Sequence, residues 1–150
     1  MKTLLRSLVA LPLLASAMLA SAEDGQPKLT AIRLNAGIHN IQAELALTPD
    51  QREIGLMYRK TMGSNDGMLF AFEEPGQQCF WMKNTLLPLS VAFVADDGTI
   101  VNIDDMKPLT LDGHCSTKPV RFVLEMNQGW FAKRGIKAGE KLLGQPFAKH

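Results

Sequence analysis

Leu89-Ser90-Val91-Ala92-Phe93-Val94-Ala95-Asp96-Asp97-Gly98-Thr99-Ile100-Val101-Asn102-Ile103 decides the fold class. Asp97-Gly98 sits between two apolar runs, and this dipeptide suits a tight reverse turn because both residues tolerate positive φ. The flanking runs are rich in β-branched and aromatic residues, which favour a pleated, half-buried surface over a helix. Val91–Ala95 and Thr99–Ile103 therefore read as a β-hairpin.

Upstream of that hairpin, Cys79–Met82 reads as a strand, with Lys83-Asn84-Thr85 in the connection and Pro88 delaying the start of the next strand or marking an edge. Met68–Phe72 is a further apolar strand, entered through the turn Asn65-Asp66-Gly67 and closed by Glu73-Glu74-Pro75-Gly76. Thr48-Pro49-Asp50-Gln51 has the composition of a capping box with proline at the first helical position, and the spacing predicts a helix to about Arg59. On that helix Ile54, Met57 and Tyr58 share an apolar face, while Arg52 and Arg59, seven apart, line up on another beside Gly55. The arginine face suits either solvent or an acid clamped by two guanidinium groups. A first hairpin precedes it, from Leu29–Leu34 and Ile41–Leu47 about an Asn35-Ala36-Gly37 turn.

Downstream, Asp104–Pro119 is long and polar with two prolines, the profile of a functional or otherwise restrained loop. Val120–Met126 returns as a strand, Asn127 is placed to cap a short helix through Arg134, and Gly135 ends it. Many short strands and two short helices make a mainly β (α+β) chain, expected as a compact antiparallel sandwich or partly open barrel with one capping helix.

The first 22 residues carry a different signal. Lys2 and Arg6 precede an apolar run, Leu8–Leu19, and Ala20-Ser21-Ala22 has the small residues of a cleavage site, so residues 1–22 read as a secretory signal peptide. That run is too short for an ordinary membrane span, and no later segment approaches one. Removal near Ala22 leaves about 128 residues, enough for one globular domain over 28–150 that needs no oligomer to bury its core, after a mobile tail at 23–27. The expected location is periplasmic or secreted. In such an oxidising compartment the two mature cysteines, Cys79 and Cys115, are expected to form a disulfide fastening the 104–119 loop to the Trp81 strand. The formal net charge of +1 is spread without blocks, which argues against nucleic acid or a membrane surface as partner.

The stretch Phe80-Trp81-Met82-Lys83-Asn84-Thr85-Leu86-Leu87-Pro88-Leu89 concentrates the unusual chemistry. Trp81 can serve as an apolar platform, with Lys83, Asn84, Arg52 and Arg59 as polar hands for an acidic or sugar-like ligand and Glu125 orienting the arginines. The same residue types also serve as core, gap-filler and turn. Two alternatives come from other classes of function. His114 beside Ser116 offers hydrolase chemistry through the 104–119 loop, although residues two apart in a loop rarely make a working dyad. Met57, Met62, Met68, Met82, Met106 and Met126 offer thioethers to Cu(I), although their spacing shows no repeated cluster. The reading expects no catalytic residue, metal or cofactor, and an unidentified small molecule or envelope protein as partner.

Several of these stretches occur together in one known family. Gly55-Leu56-Met57 with Arg59, Gly67-Met68-Leu69-Phe70 with Phe72, Phe80 to Thr85 with Pro88-Leu89, and Val123-Leu124-Glu125 with Gly129 resemble the domain of unknown function 192 family over about Ile41–Leu143. The resemblance implies a small jelly-roll-like β fold, often exported, and supplies no activity. Members usually carry Asp at the position of Ser90, so a role tied to that carboxylate does not transfer to this chain.

Overall fold

The computed structural model describes residues 25–147. The expected signal peptide, residues 1–22, lies outside them. The strands are β1 (Ala31–Ala36), β2 (His39–Ala46), β3 (Asp66–Gly76), β4 (Cys79–Phe80), β5 (Leu89–Val94), β6 (Ile100–Met106), β7 (His114–Cys115), β8 (Val120–Asn127) and β9 (Leu142–Leu143), with one helix, α1 (Pro49–Ile54). Seven strands form one sheet in the order β6-β5-β8-β3-β2-β1-β9, and β4 and β7 form a separate two-stranded ribbon. Neighbours are antiparallel except β2 and β3, which run parallel because α1 carries the chain back between them.

The sheet curls until its edges approach each other. Thr99 bridges Lys141, the Ile100 amide donates to Glu140 O at 2.8 Å, and the Gly139 amide donates to Ile100 O at 2.8 Å. The result is the partly open barrel, not two stacked sheets. No helix among the described residues is long and apolar enough to cross a membrane.

Burial follows from the two-residue period of a strand. In β8, Phe122, Leu124 and Met126 turn inward to a core with Leu34, Ile41, Leu69, Ala92 and Phe131. Val123 turns outward with Met68, Phe70, Val91 and Phe93 into a second core. All six residues of β5 are buried, because this strand is paired on both sides and covered on both faces, which explains its unbroken apolar run. Pro88 fits there because the ladder begins only at Leu89.

Several expectations are corrected. The capping box forms as expected: Thr48 Oγ1 accepts from the Gln51 amide at 3.2 Å, and Gln51 Oε1 accepts from the Thr48 amide at 3.1 Å. The helix nevertheless stops at Ile54, well short of Arg59, since Gly55 takes φ 51° and ψ −128°, a region essentially restricted to glycine. Arg52 and Arg59 are therefore not stacked on one helix. The C-terminal helix is a single 3-10 turn, Ala132–Arg134, ended by Gly135 in the left-handed region. Asn127 stays in β8, where its side-chain amide donates to Gly63 O at 2.8 Å and caps nothing. Strand β3 runs on through Glu73-Glu74-Pro75 to Gly76, with a register shift after Ala71. Gln26, expected in a mobile tail, is docked: its amide donates to Gln51 O at 3.0 Å and Gly55 O at 2.9 Å.

Candidate ligand-binding site

The Trp81 segment is held from three directions. Cys79 and Cys115 face each other across the β4–β7 ribbon and are joined as a disulfide. Phe80 turns inward, its ring edge-on to Phe70 at 4.8 Å and to Phe93 at 6.2 Å between centroids. Alternation then turns Trp81 out, 48 % exposed, and Met82 back in. The loop beyond β6 lies along the next residues: the Met82 amide donates to Thr110 O at 3.1 Å, and the Leu109 amide to Thr85 O at 3.2 Å. Asn84, at φ 54°, makes the turn that lets its carbonyl accept from the Tyr58 amide at 2.8 Å.

Between the end of α1 and β4 lies a cleft of about 350 Å³. Its walls include Ile54, Gly55, Phe70, Phe72, Phe80 and Trp81, with Arg52 and Glu53 also lining it. Gly55 allows the close approach, since a Cβ there would meet the Phe70 ring at 3.2 Å. Glu125 lines the same cleft. It lies on β8 directly opposite Met68 and Val91, on the outward face shared with Val123. The residue is 4 % exposed, and its carboxyl makes no hydrogen bond among the described residues. Burial pushes its pKa up to about 8, because low polarity penalises the charged form. The cleft thus holds a neutral carboxylic acid at neutral pH.

The six sequence-selected residues divide between cleft and scaffold. Trp81, Arg52 and Glu125 line the cleft, whereas Arg59, Lys83 and Asn84 do not. Arg52 donates to Leu47 O, to Ala71 O at 2.8 Å and to the Glu73 carboxylate at 3.3 Å, and lies 4.8 Å from the Phe72 ring centroid. It staples α1 to β3. Arg59 forms a two-point pair with Glu44 at 2.9 and 3.2 Å, and Glu44 also accepts from the Leu29 amide at 2.7 Å. Both guanidinium groups are thus engaged by internal acids, and Glu125 orients neither. Lys83 places its ammonium 5.3 Å from the Trp81 ring centroid, and Asn84 contributes the turn already described. Sequence reasoning did not single out Phe72 or Phe80 as cleft walls; their signal was apolar alternation, which marks burial without saying which face is open.

The rival chemistries find less support. His114 pairs with Asp104, while the buried Ser116 hydroxyl accepts from the Gln78 amide at 3.1 Å, so His114 and Ser116 do not act on each other. Met68, Met82 and Met106 belong to the outer core and Met126 to the inner one. Among the described residues no group of three or more His, Cys, Asp or Glu is placed to hold a metal ion. Asp105 accepts the Ser90 hydroxyl, which in turn accepts from the Gly129 amide at 2.8 Å. Ser90 is thus part of a local network.

Residues 31–144 match the model of domain of unknown function 192, DUF192, described as an uncharacterized ACR. The chain belongs to this family. Two solved structures have a similar fold. One, a Sinorhizobium meliloti protein described as a candidate transcription regulator, is 42% identical, with a TM-score of 0.71 over 76% of this chain and 92% of that one. The other, a Novosphingobium aromaticivorans protein of unknown function, is 34% identical, with a TM-score of 0.74 over 77% of this chain and 86% of its own. No curated protein matches.

Proposed function

We propose that this DUF192 protein is a small-molecule binding module of the cell envelope, exported through its N-terminal signal and holding its ligand in the Trp81 cleft. The observation that carries this reading is Glu125, a nearly buried carboxyl that hydrogen-bonds to no described residue and lines a cleft walled by aromatic rings. Native interiors pair their buried polar groups, and a binding cleft is the usual setting for one left over. Trp81 supplies a half-exposed ring suited to an apolar or sugar-like ligand face. The acidic-ligand version loses its support, because the arginines meant to receive the acid already hold Glu73 and Glu44. The disulfide is consistent with an oxidising compartment.

A nucleic-acid role, which the description of the S. meliloti relative would suggest, has little to recommend it here. Arg52, Arg59, Arg121 and Lys141 are each paired with an acid, and the net charge is +1.

The test is a screen of cell-envelope sugars and small metabolites by tryptophan fluorescence, repeated on Trp81→Ala. A saturable change in the wild type that disappears in the variant is the expected outcome. No response from any compound in the wild type would leave the cleft without a ligand and refute the reading.

A further inference from the structure

The charge and shape of the cleft narrow what it can take; this inference rests on the cleft reading above. Arg52 brings a positive charge to the cleft wall, but Glu73 sits against it at 3.3 Å and cancels it locally. Glu53, exposed on α1, adds a carboxylate with no ion-pair partner among the described residues. Lys83 is turned onto the Trp81 ring and does not line the cleft. The balance is thus already negative, and Glu125, once ionised, adds to it. The remaining walls are largely rings: Phe70, Phe72, Phe80 and Trp81. Faces of aromatic rings attract cations, most strongly where water is excluded. A buried carboxylate is tolerated only with a charge or hydrogen-bond partner.

We propose that the cleft takes an organic amine, a small ligand whose apolar body lies among Phe70, Phe72, Phe80 and Trp81 and whose ammonium meets the Glu125 carboxylate. A carboxylate-bearing ligand would meet like charge from Glu53 and could not stabilise Glu125 as an anion. Phe72 and Trp81 already carry Arg52 and Lys83 at 4.8 and 5.3 Å, so a ligand's ammonium is drawn chiefly by Glu125 and Glu53. On binding at neutral pH, Glu125 gives its proton to solvent and becomes the anion that the ammonium neutralises. The O–H bond is exchanged for an ion pair, and one proton leaves per ligand bound.

Three near-isosteric probes separate the alternatives: 2-phenylethylamine, 2-phenylethanol and phenylacetate, titrated calorimetrically into the disulfide-intact protein between pH 6 and 8.5 in buffers of different ionisation enthalpy. The Trp81 indole signal is followed by NMR in parallel. The amine is expected to bind best, its affinity rising about tenfold per pH unit until about pH 8 and then levelling. Nearly one proton should be released per amine bound at pH 7. Glu125→Gln, nearly the same size, should lose at least about tenfold in amine affinity at pH 8 together with the proton release. Circular dichroism of the variant confirms that its fold is kept. Binding of the alcohol above the amine, with affinity falling as pH rises through 8, would overturn the amine inference and leave the cleft reading standing. So would equal amine binding by Glu125→Gln. Absence of heat and of any Trp81 signal shift with all three probes would overturn both.

Discussion

Glu125→Gln tests the physical state of the cleft without any ligand. In the folded protein the Glu125 pKa is raised to about 8 by burial, against an ordinary value of 4.5. Above pH 4.5 the unfolded chain gives up this proton while the folded chain keeps it until about pH 8. The unfolded state then binds fewer protons, so stability falls as pH rises through that window and levels above it. The slope is about 1.4 kcal/mol per pH unit, or about 3 kcal/mol between pH 5 and 7.5. That is a large share of the 5–15 kcal/mol, roughly, that holds a domain of this size together. Gln does not titrate, and the remaining groups are common to both proteins, so the difference between the two isolates the one carboxyl. Urea unfolding at half-unit pH steps should show Glu125→Gln gaining about 3 kcal/mol on the wild type from pH 5 to 7.5. Parallel stability curves would refute the reasoning, because they would mean that Glu125 ionises normally in the fold.

Four further variants have expected outcomes. Replacing both cysteines, Cys79→Ala with Cys115→Ala, frees a loop with a sequence separation of 36 residues and should cost about 4 kcal/mol in urea unfolding. In the same variant the Met82 and Leu109 amides, which tie the loop to the Trp81 segment, should lose hydrogen-exchange protection. Gly55→Ala forces a side chain into φ 51° and against Phe70 at 3.2 Å, and should destabilise by about 1–3 kcal/mol, read as a lower melting temperature. Asp97 is held well below the usual carboxylate range by Lys141, then by the Thr99 amide and hydroxyl. Its contribution is present above the ordinary carboxylate pKa and lost as pH falls below it, so Asp97→Asn should flatten the acid limb of the stability curve. Trp81→Ala should leave the melting temperature within a few degrees of wild type, since the ring is 48 % exposed, roughly the effect of a surface substitution.

The parts of the fold that sequence reveals are those set by local rules. Asp97-Gly98 turns the central hairpin, Thr48 to Gln51 makes a capping box, and Cys79 meets Cys115. Each depends on neighbours in sequence or on a choice with one answer. The end of α1 was less legible because it depends on a tertiary contact. Nothing near Gly55 breaks a helical pattern as proline would; the close face of Phe70, 3.2 Å from where a Cβ would stand, becomes visible once β3 is folded against it. The parallel β2–β3 pair escaped for a related reason, since register across non-consecutive or crossover strands is set by burial over the whole sheet. In Asp66–Gly76 the charged half reads as a turn, yet it continues the strand past a register shift.

The site shows the same division. Charge in the sequence drew attention to Arg52 and Arg59, but an arginine's partner depends on the fold, and each found an acid of its own. Glu125 could be placed on a strand, and alternation with Val123 puts it on that residue's face; its isolation there depends on Met68 and Val91 standing opposite. For packing alone, a valine or leucine at 125 would serve the outer core without lowering stability as pH rises. Neither Arg52 nor Arg59 hydrogen-bonds to Glu125. A group that weakens the fold at neutral pH and bonds to nothing within it violates the consistency that specifies a native structure, and such violations concentrate where a protein meets something else. The physical case for a ligand therefore rests on the carboxyl more than on the tryptophan, whose exposed ring is an ordinary surface feature unless the acid beside it has a partner to receive.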